Sequence, residues 1–116
     1  MKYALVTGGS RGIGKACCLK LAETGHYVIV NFNSNTDEAE KTLALVREKG
    51  SDGEIMKFDV SNQQEVEKAL HGWIEHHEGD YISVLVNNAG IRKDALIMWM
   101  KDDEWSDVID TSVNGT

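Results

Sequence analysis

Thr7-Gly8-Gly9-Ser10-Arg11-Gly12-Ile13-Gly14 is the stretch on which the fold turns. It follows a short apolar run, Tyr3-Ala4-Leu5-Val6, and precedes a helical pattern. That pattern sets Ile13, Cys17 and Leu21 on one face with Cys18 and Ala22 beside it. Glycines at such a junction permit a tight turn, close approach of a ligand to the backbone, and close packing of helix on strand. The helix start offers unpaired N–H groups and a partial positive charge, which suit an anion. A glycine-rich turn that holds no ligand would look similar in sequence.

Outward from this loop, apolar runs and amphipathic runs alternate. Tyr27 to Phe32 is a second apolar run, after a stop at Gly25. Asn33, Ser34, Asn35 and Thr36 then offer helix N-caps to a segment with Ala39, Leu43 and Val46 at helical spacing, ended by Gly50. Ile55 to Phe58 predicts a third strand closed by Asp59-Val60, and Ser61 or Asn62 can cap a helix bearing Val66, Ala69, Leu70, Trp73 and His77. Ile82 to Val86 predicts a fourth strand that enters Asn87-Asn88-Ala89-Gly90. A last helical pattern joins Trp105, Val108, Ile109 and Ser112. The alternation predicts an α/β fold, a parallel sheet with helices on both faces. Near-continuous apolar strands fit a sheet covered on both sides.

The chain has 116 residues, 41% hydrophobic and 27% charged, with no proline. That is the composition of a folded globular domain. Its charge of −7 argues against general nucleic-acid binding, which needs a basic face. The charge is uneven. Residues 1–33 carry Lys2, Arg11, Lys15 and Lys20 against Glu23, a local +3, which leaves −10 on residues 34–116. The glycine-loop end therefore suits an anionic ligand. No segment approaches the roughly 18 apolar residues of a membrane span. The only cysteines are adjacent, Cys17 and Cys18, so no disulfide framework is expected and a reducing cytoplasm is the natural compartment. His71, His76 and His77 lie near Glu75 and Glu78, but His76 and His77 point in different directions on a helix, and histidines suit a helix C-terminus. No metal site is expected there.

Two phosphate-binding motifs compete for the loop. Gly9 to Lys15 reads G-x-x-x-x-G-K, but Ala16 stands where a Ser or Thr should hold magnesium, and no Walker B aspartate is evident. Nor is the spacing the usual G-x-G-x-x-G; it is T-G-x-x-x-G-x-G. This stretch, Asp59-Val60 and Asn87-Asn88-Ala89-Gly90 occur in that order, each at the carboxyl end of an expected strand. Together they resemble the three N-terminal signatures of the short-chain dehydrogenase/reductase family. Residues 88–105, Asn-Ala-Gly-Ile-Arg-Lys-Asp-Ala-Leu-Ile-Met-Trp-Met-Lys-Asp-Asp-Glu-Trp, are similar to the 3-oxoacyl-[acyl-carrier-protein] reductases within it. The resemblance covers the whole chain. It implies a Rossmann-type doubly wound sheet, here the first four strands in order 3-2-1-4. Residues 1–116 would be the N-terminal nucleotide-binding half of one reductase domain, with further chain expected. Strand 4 would then present an apolar free edge, Ile82 to Val86.

NAD sites place an Asp or Glu about 20 residues beyond the glycine loop, on the ribose 2′-hydroxyl. Here the second strand ends Asn31-Phe32-Asn33-Ser34, and no carboxylate follows until Asp37. Neutral Asn33 and Ser34 can donate to a 2′-phosphate, and Arg11 adds a cation. NADP(H) is therefore expected over NAD(H). The expected nucleotide contacts are Gly8, Ser10, Arg11, Gly12, Ile13, Gly14, Asn33 and Ser34. By resemblance, Asp59 and Val60 meet the adenine, Asn88, Ala89 and Gly90 line the nucleotide, and Asn87 ties strand to loop.

The resemblance implies hydride transfer to a ketone, with a Tyr in Tyr-x-x-x-Lys giving the proton, a Ser positioning the carbonyl and an Asn supporting a water relay. The tyrosines here are Tyr3, Tyr27 and Tyr81, followed four residues on by Thr7, Asn31 and Leu85, so that pair is absent. The family pattern sets its Asn at Ser112, and Asn114 is two residues out of place. Ser112 is therefore a catalytic candidate, its hydroxyl standing for the amide, and packing alone is the other reading. Leu96 to Met100 reads as an acyl path or as a core segment. The implied activity is NADPH-dependent reduction of a 3-oxoacyl carrier-protein thioester in fatty-acid synthesis, by a cytoplasmic homotetramer. The alternatives are a reductase of another ketone, and a nucleotide-binding piece inactive alone.

Overall fold

The computed structural model describes residues 2–9, 12–77 and 82–88, together with the backbone of 105–109. Strands β1 (Tyr3–Thr7), β2 (Tyr27–Phe32), β3 (Gly53–Lys57) and β4 (Ile82–Asn87) alternate with helices α1 (Gly12–Glu23), α2 (Thr36–Glu48) and α3 (Gln63–His76). A fifth strand, β5, runs from Trp105 to Ile109. All pairings are parallel and the order is β3-β2-β1-β4-β5. The expected order of the first four strands, 3-2-1-4, is the one found.

Two apolar clusters hold this sheet. Side chains alternate across a strand, so odd and even positions feed opposite faces. Tyr3 and Leu5 of β1 join Ile29, Phe58, Ile82 and Leu85 on one face, under Val66, Leu70 and Trp73 of α3. Val6 joins Val28, Val30, Phe32 and Val86 on the other, under Cys18 and Ala22 of α1 and Ala39 and Val46 of α2. The α3 stripe read from spacing is the stripe that is buried.

The caps follow from side-chain chemistry. Asn35 accepts the Glu38 N–H at 3.1 Å to start α2, and Asn62 accepts the Glu65 N–H at 3.2 Å to start α3. Glu65 reaches back to Asn62 Nδ2 at 3.0 Å, so each side chain holds the other. Gly72 sits inside α3, and a Cβ built there meets nothing within 4 Å. Gly72→Ala should therefore stabilise the protein by up to about 1 kcal/mol, read as a raised urea midpoint at unchanged slope.

Two expectations need correction. The residues from Trp105 were read as helical, but Trp105–Ile109 pair with β4 in the register Ile82↔Trp105, Leu85↔Val108 and Val86↔Ile109. A five-residue run fits either period, and a free strand edge of unpaired N–H and C=O groups favours the strand. The β4 edge expected to be open is thus covered. On α1, Gly14, Cys18 and Ala22 are buried, Cys17 and Leu21 are partly buried against the same cluster, and Ile13, expected on their face, is 50% exposed. The smaller side chains win because this helix lies close against the loop that precedes it.

Candidate functional site

The chain runs outward from β1 to β2 and β3, then returns to place β4 on the other side of β1. Ligands of open α/β sheets bind at this reversal, outside the carboxyl ends of the strands. Thr7 lies opposite Asn87 in the β1–β4 register, so both strands end level and the glycine loop emerges between them.

That loop is held from three sides. The Gly8 N–H donates to Asn31 Oδ1 at 3.0 Å, and the Gly9 N–H donates to the Asn31 carbonyl at 3.0 Å. Asn88 Nδ2 donates to the Gly8 carbonyl at 3.3 Å. The Thr7 hydroxyl lies 3.3 Å from the Val86 carbonyl and 3.4 Å from Asn87 Oδ1, which ties β1 to β4 beneath the loop. The Asn87 side chain thus meets β1 at Thr7. Cys18 Sγ donates to the Gly9 carbonyl at 3.8 Å from below.

Two glycines explain why the loop has this sequence. Gly14 presses against the Gly8 carbonyl so closely that a Cβ would fall on it, and that Cβ would also lie 2.9 Å from Asn88 Nδ2. Gly12 is different. Its φ is +64°, which L side chains rarely adopt, and among the described residues nothing lies within 4 Å of a Cβ built there. One glycine lets α1 approach the loop and the other leaves room beside the helix start. The first turn of α1 carries no acidic side chain of its own, so its N–H groups and positive dipole end are not neutralised from within the helix.

Asn33 and Ser34 follow β2 immediately and are exposed. Asp59 and Val60 follow β3 and Phe58. The Asp59 carboxylate accepts from the Ser61 hydroxyl at 2.6 Å and from the Ser61 N–H at 2.9 Å. These bonds to Ser61 hold its carboxyl below the usual range. Asp59 thus shapes the turn into α3, and Val60 packs against the core. Asn88, Gly8 with Gly12 and Gly14, Asn33 with Ser34, and Asp59 with Val60 form a row along one edge of the sheet, in the order β4, β1, β2, β3. Three strand spacings make this row about 14 Å long. Ser10, Arg11, Ala89, Gly90, Leu96 to Met100, Ser112 and Asn114 lie outside the described residues.

Sequence reading assigned nothing to Asn31. It is 2% exposed, one residue before the carboxyl end of β2. Besides accepting from Gly8, its Nδ2 donates to the Phe58 carbonyl at 3.1 Å and the Met56 carbonyl at 3.3 Å. The signal was present: a lone amide inside Tyr-Val-Ile-Val-Asn-Phe requires buried partners.

Burial, with the neighbouring Cys17 charge adding to it, pushes the Cys18 thiol up from 9.0 to about 12. The unfolded thiol ionises near 9, so the folded state holds the extra proton between about pH 9 and 12. The Cys18 contribution to stability should therefore be level with pH below about 9. Above it, wild type should fall relative to Cys18→Ala by about 1 kcal/mol per pH unit, measured by urea unfolding. His76 and His77 donate from Nδ1 to the carbonyls of Gly72 and Trp73 at 2.7 and 2.8 Å. Among the described residues no cluster of His, Cys, Asp and Glu could hold a metal.

The family model described as short chain dehydrogenase matches residues 2–116. The chain belongs to the short chain dehydrogenase family. It is 43% identical over 114 residues to the 3-oxoacyl-[acyl-carrier-protein] reductase FabG of Staphylococcus epidermidis, covering 98% of this chain and 46% of the relative. Identity to the FabG of Staphylococcus aureus is 45% over 114 residues, with the same coverage. The crystal structure of acetoin dehydrogenase YohF from Salmonella typhimurium superposes with a TM-score of 0.68 at 34% identity, over 78% of this chain and 36% of that one. The short chain dehydrogenase described here thus spans about half the length of the curated relatives it matches. Its glycine loop, Asp59-Val60 turn and Asn87-Asn88 strand end are the portions that line the sheet edge.

Proposed function

We propose that this chain is the NADPH-binding part of a reductase that converts a 3-oxoacyl-[acyl-carrier-protein] to its 3-hydroxyacyl form in fatty-acid synthesis. The observation that carries the cofactor choice is the end of β2, where exposed Asn33 and Ser34 stand without a carboxylate. The open space beside Gly12 and the acid-free helix start fit a diphosphate. The loop from Gly8 through Ser10 to Ile13 and Gly14 would hold that group. Asn33, Ser34 and Arg11 would hold the 2′-phosphate, Asp59 and Val60 the adenine, and Asn88, Ala89 and Gly90 the second ribose. Exposed Ile13 would give the nucleotide an apolar contact, which explains a large aliphatic side chain left half in water. NADPH, when bound, supplies the hydride that turns a ketone carbon into an alcohol.

The remaining residues orient and anchor. Asn88 fixes the Gly8 carbonyl and so helps hold the glycine loop in place. Ser112 stands where the family pattern has its Asn, and we assign it the support of the reacting end. Ser112→Asn in a form that contains the catalytic tyrosine checks this through turnover. These 116 residues contain no Tyr-x-x-x-Lys, so they should bind NADPH without reducing a ketone by themselves. The carrier-protein thioester is supported by the FabG relatives at 43–45% identity. A second reading, reduction of a different small ketone, is favoured by the structural similarity to an acetoin dehydrogenase. Cytoplasmic location and a homotetramer complete the proposal.

The test is NADPH oxidation by the longest natural form of the chain. Acetoacetyl carrier-protein thioester and acetoin are offered at equal concentration. Faster turnover of the thioester supports the reductase of acyl chains. Faster turnover of acetoin supports the second reading, and consumption of neither overturns both.

A further inference from the structure

We propose that Asn31 is a positioning residue that sets the affinity for the adenosine end of the nucleotide. The inference rests on the NADPH-binding reading above. Asn31 itself lies beneath the surface and is 2% exposed, so it does not reach the ligand. It acts on the segments that do.

Its partners come from two separate stretches of chain, the glycine loop and the end of β3. Oδ1 takes the Gly8 N–H at 3.0 Å, which fixes the first residue of the glycine loop. The main-chain carbonyl of Asn31 takes the Gly9 N–H at 3.0 Å, which fixes the second. Nδ2 gives to the carbonyls of Met56 and Phe58 at 3.3 and 3.1 Å. Phe58 is the residue before Asp59, so the amide determines where the Asp59-Val60 turn leaves β3. Asn33 and Ser34 begin two residues after Asn31 on the same strand. The glycine loop, the β2 end and the β3 end are thus joined through one side chain.

A primary amide is the group this position requires. It must accept from one side and donate to the other in a dry interior. A leucine would leave the Gly8 N–H and the Phe58 carbonyl without their partner, and buried unpaired groups are costly. An aspartate is more informative. It keeps an acceptor for the Gly8 N–H, while its second oxygen faces the Met56 and Phe58 carbonyls and repels them. Asn31→Asp therefore spares the glycine loop and disturbs the Asp59-Val60 turn.

The experiment compares wild type and Asn31→Asp in the longest natural form of the chain, using NADPH and reduced nicotinamide mononucleotide, which lacks adenosine. The NADPH KM should rise about 10- to 100-fold, with kcat within about twofold. With the truncated cofactor, kcat/KM should be unchanged. Equal losses with both cofactors, or no loss with either, would overturn the inference, since a general weakening of the fold cannot select for adenosine. If wild type takes neither cofactor, the NADPH reading itself has failed, a result distinct from both. If Asn31→Asp does not fold, amide exchange in the unliganded wild type decides. The Gly8 N–H should exchange at least about 100-fold more slowly than that of Gly12, which opens a helix. Equal rates would mean that the anchor is not formed before the ligand arrives, and the inference falls.

Discussion

Gly14→Ala should lower the melting temperature by about 8–16 °C and weaken NADPH binding at least about 100-fold. A Cβ at this position falls on the Gly8 carbonyl, 2.8 Å from its carbon and 2.9 Å from Asn88 Nδ2. Neither neighbour can yield cheaply. The carbonyl is backbone fixed by Asn88, and the adjoining Gly8 N–H is fixed by Asn31. The helix must therefore back away from the loop, loosening Cys18 and Ala22 from the sheet. Overpacking of this kind costs about 1–3 kcal/mol, and the loss of the Asn88 bond adds about 1. Alanine returns up to about 1 kcal/mol of helix propensity, which leaves a net loss near 2. Gly12→Ala is the internal control. Among the described residues its Cβ meets no atom within 4 Å, and it carries the strain of φ +64°, about 1–2 kcal/mol. Differential scanning calorimetry on both variants separates a clash from a strained turn. If Gly14→Ala is no worse than Gly12→Ala, the close approach of helix to loop does not have the weight assigned to it.

Arg11→Ala combined with Asn33→Asp should move cofactor preference from NADPH toward NADH by at least about 100-fold in the ratio of kcat/KM. Asn33 is exposed at the end of β2, where a carboxylate would oppose a 2′-phosphate and accept from a 2′-hydroxyl. Two unit charges about 4 Å apart near a protein surface interact by about 4 kcal/mol at most, and water and salt reduce that. The loss of a guanidinium contact acts in the same direction. Steady-state kinetics with both cofactors reads the ratio directly. Retained strong preference for NADPH would show that residues other than Arg11 and Asn33 read the phosphate.

Much of this site was legible in the sequence because it depends on local chemistry. The glycine loop, the Asn35 and Asn62 caps and the α3 stripe of Val66, Leu70 and Trp73 follow from residue type and spacing. Three features did not. Helical periodicity centred the α1 face on Ile13, Cys17 and Leu21 with Cys18 and Ala22 beside it, whereas the tight approach to Gly8 centres it on Gly14, Cys18 and Ala22 and leaves Ile13 exposed. Trp105–Ile109 read as helix, because five residues fit both periods and the partner that decides, the edge of β4, is remote in sequence. Asn31 was given no role within its apolar strand. Its partners, Gly8 and Phe58, lie 23 and 27 residues away, so only the folded chain shows that one amide serves both.

The most direct test is a nuclear magnetic resonance titration of the chain with NADPH, and separately with NADH, following backbone amides. NADPH should shift the amides of Gly8, Gly12, Gly14, Asn33, Ser34 and Asn88 along one saturable curve, at lower concentration than NADH. The α3 amides from Gly72 to His77, remote from that edge, should not move. Shifts centred on α3, equal response to the two cofactors, or no response to either would contradict an NADPH site at the carboxyl edge of this sheet.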